Sequence, residues 1–255
     1  MRVAIGYEGA PMAMTLEVYP SDAEAFEAAA ALAAEHVRST GARAAVALAG
    51  GRSGRGVMTA LAARGDLPWE RVEWFWGDER CVPADDRRSN VRLARDSLFV
   101  PRGVPAGRIH PPPVALGDPL RIAAAYAETL AAEAPVFDLV LLGLGARGGV
   151  ASLVPGAAAL HVSALVAAVA AEEVAEEPRV ARITVTPPVL AAARHVIVTA
   201  VGGEKAAAVA AAVDDGADPA GVPAALVRPS ERITWFIDRA AASVLLRAAR
   251  PAPAQ

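Results

Sequence analysis

The feature that most constrains this chain is a recurring unit: a short apolar run that stops at glycine or charge and is followed by a helical stretch. Ala44 to Ala49 ends in Gly50-Gly51 and leads into a helix-like segment from Gly56 to Ala63. Val72 to Trp76 stops abruptly at Gly77-Asp78-Glu79-Arg80, and Phe137 to Leu142 again stops at glycine. Thr15 to Tyr19, Arg182 to Thr186, His195 to Val201 and Ile233 to Ile237 complete the expected strands. Runs this continuously apolar belong to strands covered on both faces, which is the situation of a parallel sheet flanked by helices. The expected fold class is α/β, an open, mostly parallel, Rossmann-like sheet with helices on both faces. In such sheets ligands bind outside the carboxyl ends of the strands, where the glycines and charges of this sequence gather.

The connecting segments agree with a single domain over 1–255, with its core at about 15–246. Ser21 is a plausible N-cap with Glu24 in capping-box spacing, and the helix it opens is expected to reach Ser39, before Gly41. Met1 to Pro11 shows little periodicity. Pro101 to Pro119 and Asp214 to Pro223 are rich in proline and glycine and read as loops; Pro251 to Gln255 reads as a short tail. Trp74 and Trp76, two residues apart, share one face of their strand and are expected to pack there.

Composition excludes several function classes. Hydrophobic residues make up 54% of the chain, but much of that share is alanine, which supplies helix propensity rather than bulk. A formal charge of −3 does not fit a general nucleic-acid or anionic-membrane surface, although one phosphate needs only a few cations and amides. The single cysteine, Cys81, rules out an internal disulfide and a multi-cysteine metal cage; with no histidine nearby in sequence it reads as a spectator. The start of the chain has no secretory pattern and no run is long enough to span a bilayer, so a cytoplasmic protein is expected.

Two motifs carry chemistry. The loop Ala49-Gly50-Gly51-Arg52-Ser53-Gly54 follows a buried run and opens a helix, an arrangement that directs backbone N–H groups at an anion. On its own it is equally well a tight turn. Trp76-Gly77-Asp78-Glu79-Arg80, continuing to Asp85-Asp86-Arg87-Arg88-Ser89-Asn90, sets ionisable groups at a sheet end. Charge density alone favours a solvated loop, with Ser89-Asn90 as a helix cap.

Taken together, these segments resemble the 6-phosphogluconolactonase family. The third signature of that family is matched by Phe137 to Gly145, resuming at Ala151-Ser152-Leu153 and Pro155-Gly156. Arg182-Ile183-Thr184-Val185-Thr186-Pro187, Gly203-Glu204-Lys205-Ala206 and Trp235 to Ala241 fit further segments, in order, from about Thr15 to Leu246. The glucosamine-6-phosphate isomerase/deaminase family shares the glycine loop, but Asp78-Glu79-Arg80 suits the lactonases better. The resemblance implies hydrolysis of 6-phosphoglucono-δ-lactone in the pentose phosphate pathway, with no metal and no organic cofactor. The implied partner is a phosphorylated sugar lactone or acid, with no nucleic acid or membrane, and the implied state is a monomer or small homo-oligomer.

The resemblance also implies a histidine as general base, a task suited to its pKa, and an aspartate two residues before it. Here those positions are Gly149 and Arg147. His36, expected on a helix surface, His110, expected to be structural, His161 and His195 are all poor replacements. Asp78 and Glu79 are the better candidates for the catalytic role. The phosphate and substrate set is Gly50, Gly51, Arg52, Ser53, Arg80, Ser89, Asn90, Arg147, Gly148, Arg182 and Lys205, with Arg87 and Arg88 as weaker candidates. Three readings follow: a lactonase using another base, a sugar-phosphate-binding paralogue without turnover, or a different reaction on a phosphorylated sugar.

Overall fold

The computed structural model describes residues 3–6, 13–41, 43–174, 177–227 and 230–248. Ten strands form two sheets. The main sheet has the order β1 (Val3–Gly6), β2 (Ala13–Tyr19), β10 (Arg232–Asp238), β9 (Val196–Ala200), β6 (Leu139–Gly143), β3 (Ala44–Leu48), β4 (Val72–Trp76). All neighbours are parallel except β1, which pairs antiparallel with β2 at one edge. The second sheet, β5 (Asp78–Arg80), β8 (Arg182–Val185) and β7 (Val166–Val169), is antiparallel.

The apolar runs behave as strands covered on both faces. Val46 and Leu48 of β3 and Leu139 and Leu141 of β6 pack into a core built with α1 (Asp22–Ser39) and α2 (Gly51–Ala63). Their alternates, Ala45, Ala47, Val140 and Leu142, pack on the other face against α5 (Pro119–Glu133) and the second sheet. Trp74 and Trp76 share the first of these cores, as their spacing requires. The helical stretch α3 (Asn90–Ala94) runs through a π-helical turn, Arg95–Phe99, into α4 (Val100–Arg102). Three further helices, α6 (Pro187–Ala192), α7 (Ala206–Val213) and α8 (Ser243–Ala248), complete the described set.

Several expectations need correction. Arg182–Val185 belongs to the small antiparallel sheet rather than the parallel one, and Asp78-Glu79-Arg80 is a strand, not a solvated loop. A buried apolar run looks the same in either sheet, so period alone does not separate them. The second helix begins at Gly51, five residues before the expected Gly56. The aperiodic N-terminus contributes β1; the rest of Met1–Pro11, like Pro251–Gln255, lies outside the described residues. Ser21 does cap α1, its Oγ accepting from Glu24 N–H at 3.3 Å, but it also donates to the Glu24 carboxylate.

The exposed edge of β4 is covered. Ile109 bridges Trp74, and His110 N–H donates to the Trp74 carbonyl at 2.9 Å. Glu73, buried in β4, anchors that segment through His110 Nε2 at 2.6 Å, Arg108, and Arg43 Nε at 2.8 Å. Burial alone would raise the Glu73 carboxyl, but these three partners outweigh it and hold it below the usual range. His110 also stacks on Phe75 at 4.7 Å, so its role is structural.

His36 is not a surface residue. Its Nε2 meets the Asp138 carbonyl at 2.8 Å, and its ring packs edge-on against His195, 5.0 Å away. His195 is fully buried against Thr234 Oγ1. Burial first, then the neighbouring His36 and Arg232, pushes His195 down to about 3; His36 is also lowered, mainly by burial. His195 is therefore neutral in the folded chain at pH values where the unfolded chain, near 6.5, takes up a proton, and the lowering of His36 acts in the same direction. The stability that His195 allows is complete above pH 6.5 and is lost as pH falls from there toward 3. In denaturant titrations across pH 7 to 5, unfolding free energy should fall, and His195→Gln should flatten that slope by up to about 1.4 kcal/mol per pH unit.

Candidate functional site

A cavity of about 270 Å³ opens at the carboxyl ends of β3, β4, β6 and β9, with the second sheet closing one side. This is where an open parallel sheet places its ligand. The glycine loop forms one wall. α2 begins at Gly51, and its first intrahelical bond is Gly54 N–H to the Gly50 carbonyl at 3.1 Å. The N–H groups of Gly51, Arg52 and Ser53 therefore have no carbonyl one turn back and face the cavity with the positive end of the helix dipole. Gly50 is required by contact rather than by torsion: a Cβ there would sit 1.9 Å from Asn90 Oδ1.

The second wall is set by the chain's exit from β4. Gly77 N–H still bonds the Leu48 carbonyl of the main sheet, while the Gly77 carbonyl accepts from Val185 of the small one. Asp78 then faces the cavity, 6% exposed. Its Oδ2 accepts from Ser152 Oγ at 2.7 Å and its Oδ1 from Asn90 Nδ2 at 3.2 Å. Arg182 Nη1 donates to the same Ser152 hydroxyl at 3.4 Å. Ser152 is preceded by Ala151, which holds φ at 51°, a left-handed conformation uncommon outside glycine.

Glu79 does not belong to the cavity, which corrects its expected catalytic role. The side chain alternates to the opposite face of β5 and is completely buried. Its carboxylate accepts from Ser89 Oγ at 2.9 Å and from the N–H groups of Asn90 at 2.8 Å, Val91 at 2.7 Å and Arg80 at 2.6 Å. Burial raises its pKa while these four donors oppose the rise. Ser89 and Asn90 are likewise behind the wall rather than in it; Ser89 Oγ caps α3 through Arg92 N–H. Gly148 also leaves the set of ligand contacts. With φ at +80° it turns toward Val222, and its carbonyl accepts from Ala224.

The cations divide by their partners. Arg52 lines the cavity but is tied to Asp22 at 2.7 Å, an interaction that lowers the Asp22 pKa. Arg80 gives Nη1 to the Arg88 carbonyl at 2.5 Å, and Arg182, 8% exposed, gives Nη2 to the Pro178 carbonyl at 3.0 Å. Arg147 and Lys205 line the cavity from the loops after β6 and β9, with no side-chain hydrogen bond or ion pair to any described residue. Glu177 and Glu204 also line it, which the sequence motifs had not assigned. Arg87 and Arg88 do not line it; Arg88 pairs with Asp86 at 2.7 Å on the surface.

No histidine lines the cavity. His36, on α1, meets the Asp138 carbonyl just before β6, and His195 just precedes β9. Both therefore lie at the amino ends of strands, about 15 Å from their carboxyl ends. His110 flanks the middle of β4. Gly149 does line the cavity, in a loop that is tightly closed by backbone bonds. Gly145 N–H bonds the Gly149 carbonyl at 2.8 Å, and Val150 and Leu153 exchange backbone bonds at 3.2 and 2.9 Å. A Cβ at 149 would stand 2.8 Å from the Leu153 carbonyl oxygen. Cys81 is outside the cavity, and burial, with Glu79 and Asp118, pushes its thiol up to about 11, so it is no nucleophile.

With this geometry, the likeness to known proteins is specific. Residues 20–235 match the family model described as Glucosamine-6-phosphate isomerases/6-phosphogluconolactonase. The chain belongs to that family. It is 37% identical over 203 residues to a 6-phosphogluconolactonase of Synechocystis, covering 77% of this chain and 82% of the relative. It is also 37% identical to one from Mycobacterium tuberculosis over 211 residues, covering 78% and 84%. Among solved structures, 6-phosphogluconolactonase from Trypanosoma brucei superposes with a TM-score of 0.83 at 30% identity, covering 90% of this chain and 98% of that one. A monomeric glucosamine-6-phosphate deaminase shares the fold, with a TM-score of 0.79 at 20% identity and coverage of 90% and 99%.

The close approach of Gly50 to Asn90 gives a direct test of this wall. Gly50→Ala should lower stability by about 1–3 kcal/mol through overpacking, read by denaturant unfolding. A variant as stable as the parent would contradict the geometry.

Proposed function

We propose that this chain hydrolyses the lactone of a 6-phosphorylated sugar acid, 6-phosphoglucono-δ-lactone, with Asp78 in place of the family histidine. The observation that carries this reading is a hydrogen-bonded carboxylate in the wall of a cavity that also holds a helix N-terminus and five cationic residues. The phosphate fits the N–H groups of Gly51, Arg52 and Ser53, where the helix dipole and the exposed donors favour an anion. Arg80 and Lys205 add charge at the same cavity.

Ser152 and Asn90 fix the orientation of the Asp78 carboxylate by donating to it, which leaves lone pairs for a water on the cavity side. That water adds to the lactone carbonyl as its proton passes to Asp78. The charge developing on the carbonyl oxygen is met by the Arg182 and Arg147 guanidiniums. The bond from C1 to the ring oxygen then breaks, the ring oxygen takes the proton from Asp78 to become a hydroxyl, and the new acid ionises. A carboxylate is a weaker base than imidazole near neutral pH, so turnover should be about a hundredfold to ten-thousandfold below that of a histidine-bearing relative.

A second reading, binding without turnover, is favoured by the closed loop at Gly149, which has no room for the family base. A lactonase assay corrected for spontaneous hydrolysis separates the two. Catalysis should exceed background, and Asp78→Asn should reduce it by at least about a hundredfold with secondary structure and Tm retained. Background rates in both proteins, together with binding of 6-phosphogluconate, would favour the second reading. Because of the Leu153 carbonyl, Gly149→His alone should lower Tm without restoring a fast rate.

A further inference from the structure

Arg147 gives this cavity a second anion-binding point. Its side chain is exposed at the cavity, on the loop after β6, and no described residue neutralises it. The phosphate point proposed above lies over β3, the neighbouring strand, at the N-terminus of α2. Next to Arg147 the wall carries little side chain: Gly148 turns outward to Val222, and Gly149 lines the cavity without a Cβ. A planar guanidinium beside an unfilled stretch of wall matches a carboxylate, which it binds through two parallel hydrogen bonds. Five cationic residues line the cavity against three acidic ones, and Asp78 of the latter is already held by Ser152 and Asn90.

We propose that Arg147 makes the cavity selective for ligands with two anionic ends, a phosphate and a carboxylate joined by a short hydroxylated carbon chain. This inference rests on the reading of the cavity as a sugar-phosphate site. The ring-opened acid is then held more tightly than the lactone, whose carbonyl end is uncharged. The protein is accordingly inhibited by its own product in a way that depends on this one guanidinium. Because Arg147 is exposed, the preference weakens as salt rises.

The test is calorimetric titration at low, fixed ionic strength with two probes of the same length, 6-phosphogluconate and glucitol 6-phosphate, which differ only in the carboxylate. The parent should bind 6-phosphogluconate at least about tenfold more tightly, as expected for a charge-assisted pair, and Arg147→Gln should remove most of that preference while changing glucitol 6-phosphate affinity by less than about twofold. Equal affinity of the parent for both probes, or an undiminished preference in Arg147→Gln, would overturn the role of Arg147 and leave the phosphate site standing. Failure of both probes to bind would overturn the inference together with the sugar-phosphate reading.

Discussion

The structure depends on one buried carboxylate, that of Glu79. At Gly77 the chain leaves the parallel sheet and starts a second, antiparallel one, and such an exit needs an anchor. Four donors supply it: Ser89 Oγ and the N–H groups of Arg80, Asn90 and Val91. The carboxylate thereby satisfies the N-terminus of α3, where a negative charge is also favoured by the helix dipole. With α3 held, Asn90 lies beneath Gly50 and reaches Asp78. The glycine loop and the cavity carboxylate are thus positioned from the same point, by residues that do not line the cavity.

This division of labour separates the frame of the cavity from its lining. Positions behind the wall are fixed by contact and by buried hydrogen bonds, so they admit little variation. The loop from Gly145 to Leu153 is different. Its short backbone bonds close on themselves, and the Leu153 carbonyl occupies the space that a Cβ at 149 would enter. Arg147, on the same loop, sets an exposed guanidinium at the cavity.

Much of this was legible in the sequence, for identifiable reasons. Continuous apolar runs mark strands covered on both faces, so β3, β4, β6, β9 and β10 and the position of the cavity followed from period and glycine placement. Asp78, Arg80, Arg147, Arg182 and Lys205 do line one cavity. Glu79, Ser89, Asn90 and Gly148 were read as contacts and stand behind it, because adjacency in a motif carries no information about which face of a short strand a side chain takes. Glu79 and Asp78 differ by one residue and therefore face opposite ways. His36 was misjudged for a related reason: a polar residue near a helix end reads as exposed unless its partners, here Asp138 and His195, are known. The role of Ser152 was present in the order of residues but needed the strained turn at Ala151 to become visible.

In the proposed reaction one cavity holds the phosphate at the start of α2 and the reacting carbon beside Asp78. A crystal structure with bound 6-phosphogluconate tests it most directly. Phosphate oxygens should lie within hydrogen-bond distance of the Gly51, Arg52 and Ser53 N–H groups, with C1 next to Asp78. A phosphate bound elsewhere, or C1 remote from Asp78, would contradict it.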